Sequence, residues 1–126
     1  PSPEAIAKAL DVRGRNWQKF RDVLSEHDVL LSATASFTAM TVEDWDAVWT
    51  TETTKYPHKT FAPTYTSYTH MFNWLGLPAM SVPAGFIDGL PIGLQIVALP
   101  ENEAKIFQVA QAFLKANPRN ELPKIS

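Results

Sequence analysis

A chain of 126 residues, 45% hydrophobic and 19% charged, has the composition of one small globular domain with a modest core. Its net charge of −2 comes from interspersed acidic and basic residues, which argues against a nucleic-acid partner. No apolar run is long enough to cross a membrane, and the opening Pro1-Ser2-Pro3-Glu4 lacks the character of an intact signal peptide.

The first segment reads as a helix. Ser2 can cap it, Pro3 suits its first position, and Glu4 complements the positive end of the dipole. Ile6, Leu10, Trp17, Phe20 and Leu24 form one apolar stripe at near-helical spacing. Gly14 interrupts the stripe and admits a break or bend there. Lys8, Arg13, Arg15, Lys19 and Arg21, interrupted by Asp11 and Asp22, read as the solvated face of this helix. Val29-Leu30-Leu31 follows as a short buried strand. Thr41 to Asp44 resembles a capping box opening a short helix with Val42, Trp45, Val48 and Trp49.

From 50 to 63 the chain is Thr-rich, aperiodic and interrupted by Pro57 and Pro63, as a surface loop would be. Tyr65, Tyr68, Phe72 and Leu75 then follow helical spacing, with Gly76 as a left-handed stop and Pro78 beyond it. Ala79–Val82 and Ile92–Val97 read as strands joined through an Asp88-Gly89 turn, a hairpin covering about 79–98. Pro83 and Pro91 belong at strand ends, bulges or edges. The last helix starts near Asn102 as its cap. Its expected core stripe is Ala104, Phe107, Ala110 and Leu114, widened by Ile106 and Phe113, and Asn117-Pro118 ends it. The expectation is an α/β fold, a short mixed sheet covered by helices.

Four Trp, seven Phe and three Tyr supply much apolar area for so few layers. Part of it therefore expects cover from another surface, and self-association through it is one such arrangement.

No catalytic constellation emerges. His27, His58 and His70 are far apart and, with no Cys, suggest no metal site. The lack of Cys also removes a thiolate nucleophile and a disulfide framework, and it favours a cytoplasmic setting. Ser81 is in no nucleophile elbow, and its hydroxyl is expected to bond nearby backbone. Gly85, Gly89 and Gly93 read as turn and close-packing positions. The acidic clusters Glu43/Asp44/Asp46 and Glu101/Glu103 stand at helix starts, where the dipole alone accounts for them. No cofactor cradle is present.

The run Tyr68-Thr-His-Met-Phe-Asn-Trp-Leu-Gly-Leu-Pro-Ala-Met-Ser-Val-Pro-Ala-Gly85, continued by Gly89-Leu-Pro-Ile-Gly-Leu-Gln95, resembles the C-terminal block of the amidase-signature family. Trp17 to Phe20 followed by Asp28-Val-Leu-Leu31 is similar to an upstream passage of the same family. The departures are Ala33-Thr34 where Pro-Thr is usual and Ala98 where Gly is common; they fall beside a loop that commonly shapes the substrate pocket.

The resemblance implies that residues 1–126 are a single domain unit, the C-terminal portion of a larger α/β/α amidase domain. Such enzymes cleave amides through an acyl-enzyme on a Ser–cis-Ser–Lys triad. The triad lies upstream of this block in family members. No catalytic residue is therefore assigned, and the chain alone is expected to be inactive and to require the missing N-terminal part. The passage around Ser67-Tyr68-Thr69 is similar to one in fatty-acid amide hydrolase, where the flanking residues line the acyl channel. Carried over, those positions are Thr66 and His70, whose spacing places them on one helix face toward a small-molecule amide. Two other readings stand beside this one. One is a non-catalytic interaction module that kept the fold; the other is part of one subunit in a tRNA-dependent amidotransferase.

Overall fold

The computed structural model describes residues 1–45 and 68–118. In chain order these form α1 (Pro3–Glu26), β1 (Leu30–Ala33), α2 (His70–Leu75), β2 (Ala79–Ile87), β3 (Leu90–Val97) and α3 (Glu103–Ala116). The strands make one sheet in the order β1-β3-β2. Both pairings are antiparallel, so the described sheet is not mixed in strand direction, although the α/β class is as expected.

Helix α1 begins as its sequence dictates. The Ser2 hydroxyl accepts a hydrogen bond from the Ala5 amide at 3.3 Å, and Pro3 stands where a free N–H would have no helical partner. The break expected at Gly14 does not occur; α1 is continuous through it. One glycine costs only about 1 kcal/mol, and the following turns regain it by packing Trp17, Phe20 and Leu24. The stripe is used unevenly, since Ile6 and Leu10 remain exposed while Leu24 is buried.

Thr41 starts a helical turn as the capping signal predicts: its hydroxyl accepts from the Asp44 amide at 3.0 Å. Val48 and Trp49, the loop expected over 50–63 and the first part of the helix expected from Thr64 lie outside the described residues. Helix α2 ends on Gly76, whose φ of 74° fits the left-handed stop. The Leu77 amide then donates to the Phe72 carbonyl at 3.0 Å.

The hairpin turns on Asp88 and Gly89, both with positive φ (52° and 79°), the signature of a tight turn matched to strand twist. Its strands run further toward the turn than the apolar runs predict. The two prolines explain how. Pro83 sits on an edge strand beside a register shift between Pro83 and Gly85. Pro91 lies beyond the reach of β1, which pairs only with Leu94–Val97, so no ladder bond is lost on that side.

Helices cover both faces. On one face Val97 packs with Leu24, Phe72, Leu75 and Leu77, and the Phe20 and Phe72 rings meet edge-on at 5.5 Å. On the other face Val82 and Ile96 pack with Ile106 and Ala110 of α3. The inward stripe of α3 is thus Ile106, Val109, Ala110 and Phe113, of which Ile106, Ala110 and Phe113 were expected and Val109 was not. Ala104, Phe107 and Leu114 face outward, and Phe107 is 62% exposed. Asn102 does occupy the N-cap of α3, but its side chain makes no capping bond. Its backbone (φ −108°, ψ 23°) is not extended, and its amide group instead donates to the Pro100 carbonyl.

Candidate functional site

The sheet face that packs on α1 and α2 changes character along its length. Val97 and Leu30 belong to the apolar core. Two residues along β3, Gln95 is buried, and its Nε2 donates to the Tyr68 carbonyl at 2.5 Å and to the Ser32 hydroxyl at 2.9 Å. Gln95 therefore ties the chain entering α2 to the sheet. A buried amide left without such partners would cost roughly 1–3 kcal/mol.

Two residues further on is Gly93. A Cβ built there would fall 2.6 Å from both the Ser81 Oγ and the Thr34 Oγ1. Those hydroxyls come from either side of β3 and meet above the glycine, 2.6 Å apart. Glycine is required because any side chain would occupy their meeting point. The Ser81 hydroxyl thus bonds a side chain, not the nearby backbone expected for it. Sequence reading singled out Gly93 as a close-approach position but had no means of naming its neighbours. The only available signal was a glycine inside a strand pattern.

Beyond Ala33 the chain leaves the sheet, with the Thr34 amide donating to the Gly93 carbonyl at 2.9 Å. Residues 34–39 then run beside the tip of the hairpin. Between them lies a cleft of about 890 Å³. Phe37, Ile87, Pro83 and Ile92 give it apolar walls, and the Thr34–Ser81 pair lies on its lining. Among the described residues no Asp, Glu, Lys, Arg or His lines it.

His70 is the first residue of α2 and is exposed, two residues past the Tyr68 carbonyl held by Gln95. It does not line the cleft over Gly93. Thr66, its expected companion, lies outside the described residues, so the structure does not bring the two together. Asn73 lends its carbonyl to the Gly76 amide. Glu43 and Asp44 occupy the start of the helical turn after Thr41, and Glu103 opens α3, as their dipole reading requires; Asp46 lies outside the described residues.

The Asp11–Arg15, Arg21–Asp22 and Asp28–Lys105 ion pairs lie at the surface. The Lys105 ammonium donates to the Asp28 carboxylate at 2.6 Å, and this bond, reinforced by the positive charge, holds Asp28 below its ordinary value. A hydrogen bond from Ser2 does the same for Glu4 at the start of α1. The Ser2 hydroxyl also meets the Ala5 amide, that of Ser25 the Asp22 carbonyl, and that of Ser32 Gln95. No group of three or more His, Asp or Glu positioned for a metal occurs among the described residues. Nor is any described helix long and apolar enough to cross a membrane.

The amidase family model matches residues 2–107. The A-subunit of the glutamyl-tRNA(Gln) amidotransferase of Lacticaseibacillus casei is 36% identical over 110 residues, covering 87% of this chain and 21% of that protein. The crystal structure of the same subunit from Thermotoga maritima superposes with a TM-score of 0.78 at 30% identity, over 96% of this chain and 25% of its own. A bacterial aryl acylamidase of the amidase-signature enzymes superposes with a TM-score of 0.66 at 25% identity, over 94% of this chain and 24% of its own. The chain spans about a fifth of the length of the curated relatives it matches.

Proposed function

The chain belongs to the amidase family, and from that premise we propose that it forms sheet and acyl-pocket wall in an enzyme that hydrolyses the C–N bond of amides. In this reading residues 1–126 are one unit, the C-terminal portion of a larger amidase domain. The nucleophile, its bridging hydroxyl and its lysine base are carried by other polypeptide, and this segment alone turns nothing over. One observation carries the proposal: the family model matches residues 2–107, yet the chain spans about a fifth of the Lacticaseibacillus casei relative. The engagement of the Ser2, Ser25, Ser32 and Ser81 hydroxyls with backbone, Gln95 and Thr34 is consistent with scaffold roles.

Within that enzyme Thr66 and His70 line the acyl side of the pocket. The anchoring of Tyr68 by Gln95 supports this, because it fixes the chain entering α2, where His70 is presented to solvent. Changing Thr66 or His70 to Ala in an amidase that carries this segment is expected to shift relative kcat/KM among amides of different acyl groups. Unchanged ratios would remove both from the pocket. The absence of cysteine from all 126 residues supports a cytoplasmic setting.

A second reading is favoured by the similarity to the glutamyl-tRNA(Gln) amidotransferase of Lacticaseibacillus casei, whose A-subunit is 36% identical. Here the same wall would serve an enzyme that works with a partner protein. Turnover of simple amides by the longer enzyme, without tRNA or partner, separates the first reading from the second.

A further inference from the structure

We infer that Arg13 is a positioning residue for His70: its guanidinium holds the far end of α2 and so sets where that helix presents His70. The inference rests on the proposed place of His70 in the pocket wall and adds a residue from a different element.

The stripe of α1 shows where Arg13 stands. Ile6, Leu10, Trp17, Phe20 and Leu24 are spaced by four, seven, three and four residues, and the gap of seven holds Arg13 where the periodicity calls for an apolar side chain. Trp17 and Phe20, next on that stripe, pack against the core that α2 shares. The solvated role expected for Arg13 is therefore only partly kept. Its side chain is exposed, yet it reaches across to α2. Its Nε donates to the Trp74 carbonyl at 2.7 Å, and its Nη2 lies 3.8 Å from where a Cβ on Gly76 would stand.

The last carbonyls of a helix need donors from outside it, since no further turn supplies them. In α2 the Leu77 amide serves Phe72, the Gly76 amide serves Asn73, and Arg13 serves Trp74. The third of these bonds comes from another element, and it is both directional and charge-assisted. At the opposite end Gln95 holds the Tyr68 carbonyl. Helix α2 is thus tied at its entry by β3 and at its exit by α1.

Phe72 and Leu75 are buried beneath α2, but apolar burial is non-directional and specifies the rotation and axial position of a six-residue helix only weakly. The two polar ties specify both. Trp74 follows His70 by four residues, so the residue that Arg13 holds shares a helical face with His70. A displacement at the Trp74 carbonyl is carried through a single turn to the imidazole. Because the Arg13 bond is exposed it adds little to overall stability, and its loss should move His70 without unfolding the chain.

The test compares Arg13→Met, Arg13→Lys, His70→Ala and the Arg13→Met/His70→Ala double variant in an amidase that carries this segment. Met keeps the packing of the stem and removes the donors, whereas Lys keeps the charge without the planar fork. The readout is the ratio of kcat/KM for hexanoyl and acetyl anilides. Arg13→Met is expected to shift that ratio roughly three- to tenfold, and Arg13→Lys by less, with melting temperatures within about 2 °C of the parent. The double variant should keep the ratio of His70→Ala, because without the imidazole Arg13 has nothing left to place. In the 126-residue chain, Arg13→Met should speed hydrogen exchange of the Gly76 and Leu77 amides about threefold or more and leave α3 as in the parent. The inference is overturned if Arg13→Met leaves the ratio at the parent value, if its shift adds in full to that of His70→Ala, or if exchange in α2 is unchanged. An unchanged ratio in His70→Ala removes His70 from the pocket and the inference with it. A shift there with none in Arg13→Met removes the inference alone.

Discussion

On the sheet face under α3, Val82 and Ile96 pack against Ile106 and Ala110, with Met80, Leu94 and Phe113 partly buried around them. The opposite face starts in the same way, with Val97 against Leu75 and Phe72, and then gives way to Gln95, Ser32, Ser81 and Thr34. Antiparallel sheets commonly tolerate one polar face when water covers it. Here the polar row is partly roofed by the chain entering α2 and by residues 34–39, so its hydrogen bonds are specified one by one. The α3 face needs only shape and apolarity, whereas the other needs particular donors, acceptors and one absent side chain. That asymmetry sets a face of particular polar contacts against one of apolar packing.

Truncation on each face sharpens the contrast. Ile96 is fully buried, and Ile96→Ala should destabilise the chain by about 2–5 kcal/mol, read by urea or thermal unfolding. Gln95→Ala should cost less, about 1–3 kcal/mol, because it strands the Tyr68 carbonyl and the Ser32 hydroxyl. It should also speed amide hydrogen exchange in α2 while leaving α3 protected. Equal loosening of both helices would contradict the division between the faces.

The smallest effect is electrostatic. The carboxyl of Asp28 is held below its ordinary value of 3.8 by the Lys105 hydrogen bond and charge. A depressed folded-state value means the native chain binds fewer protons than the unfolded one, so the contribution is present above 3.8 and is lost as pH falls through the lower folded value. The melting temperature of Asp28→Asn should therefore fall slightly below that of the parent at neutral pH and converge with it in strong acid. Asp28 is largely exposed and Lys105 half-buried, so salt should shrink the difference.

What could be read in the sequence was what local chemistry decides. Asp88-Gly89 fixes the hairpin turn because both positions need positive φ, and Gly76 ends α2 for the same reason. Ser2 and Thr41 announce helix starts because their hydroxyls reach amides three residues on. Long-range choices were not legible. Helix α3 carries apolar residues around much of its circumference, so periodicity alone could not tell that Ile106 faces the sheet and Phe107 does not. The Thr34–Ser81 pair joins residues 47 apart, and it exists only because both neighbours of β3 settle into one register over Gly93. The family resemblance pointed to a pocket wall near Thr66 and His70 but not to this pair.

The central claim is that this segment shapes an amide pocket without performing the acyl transfer. The direct measurement is exposure of the purified 126-residue chain to a fluorophosphonate probe, with intact-mass analysis and a parallel assay on an aryl amide. No adduct on any serine and no amide hydrolysis above buffer are predicted. Stoichiometric labelling of a serine together with turnover would contradict the account.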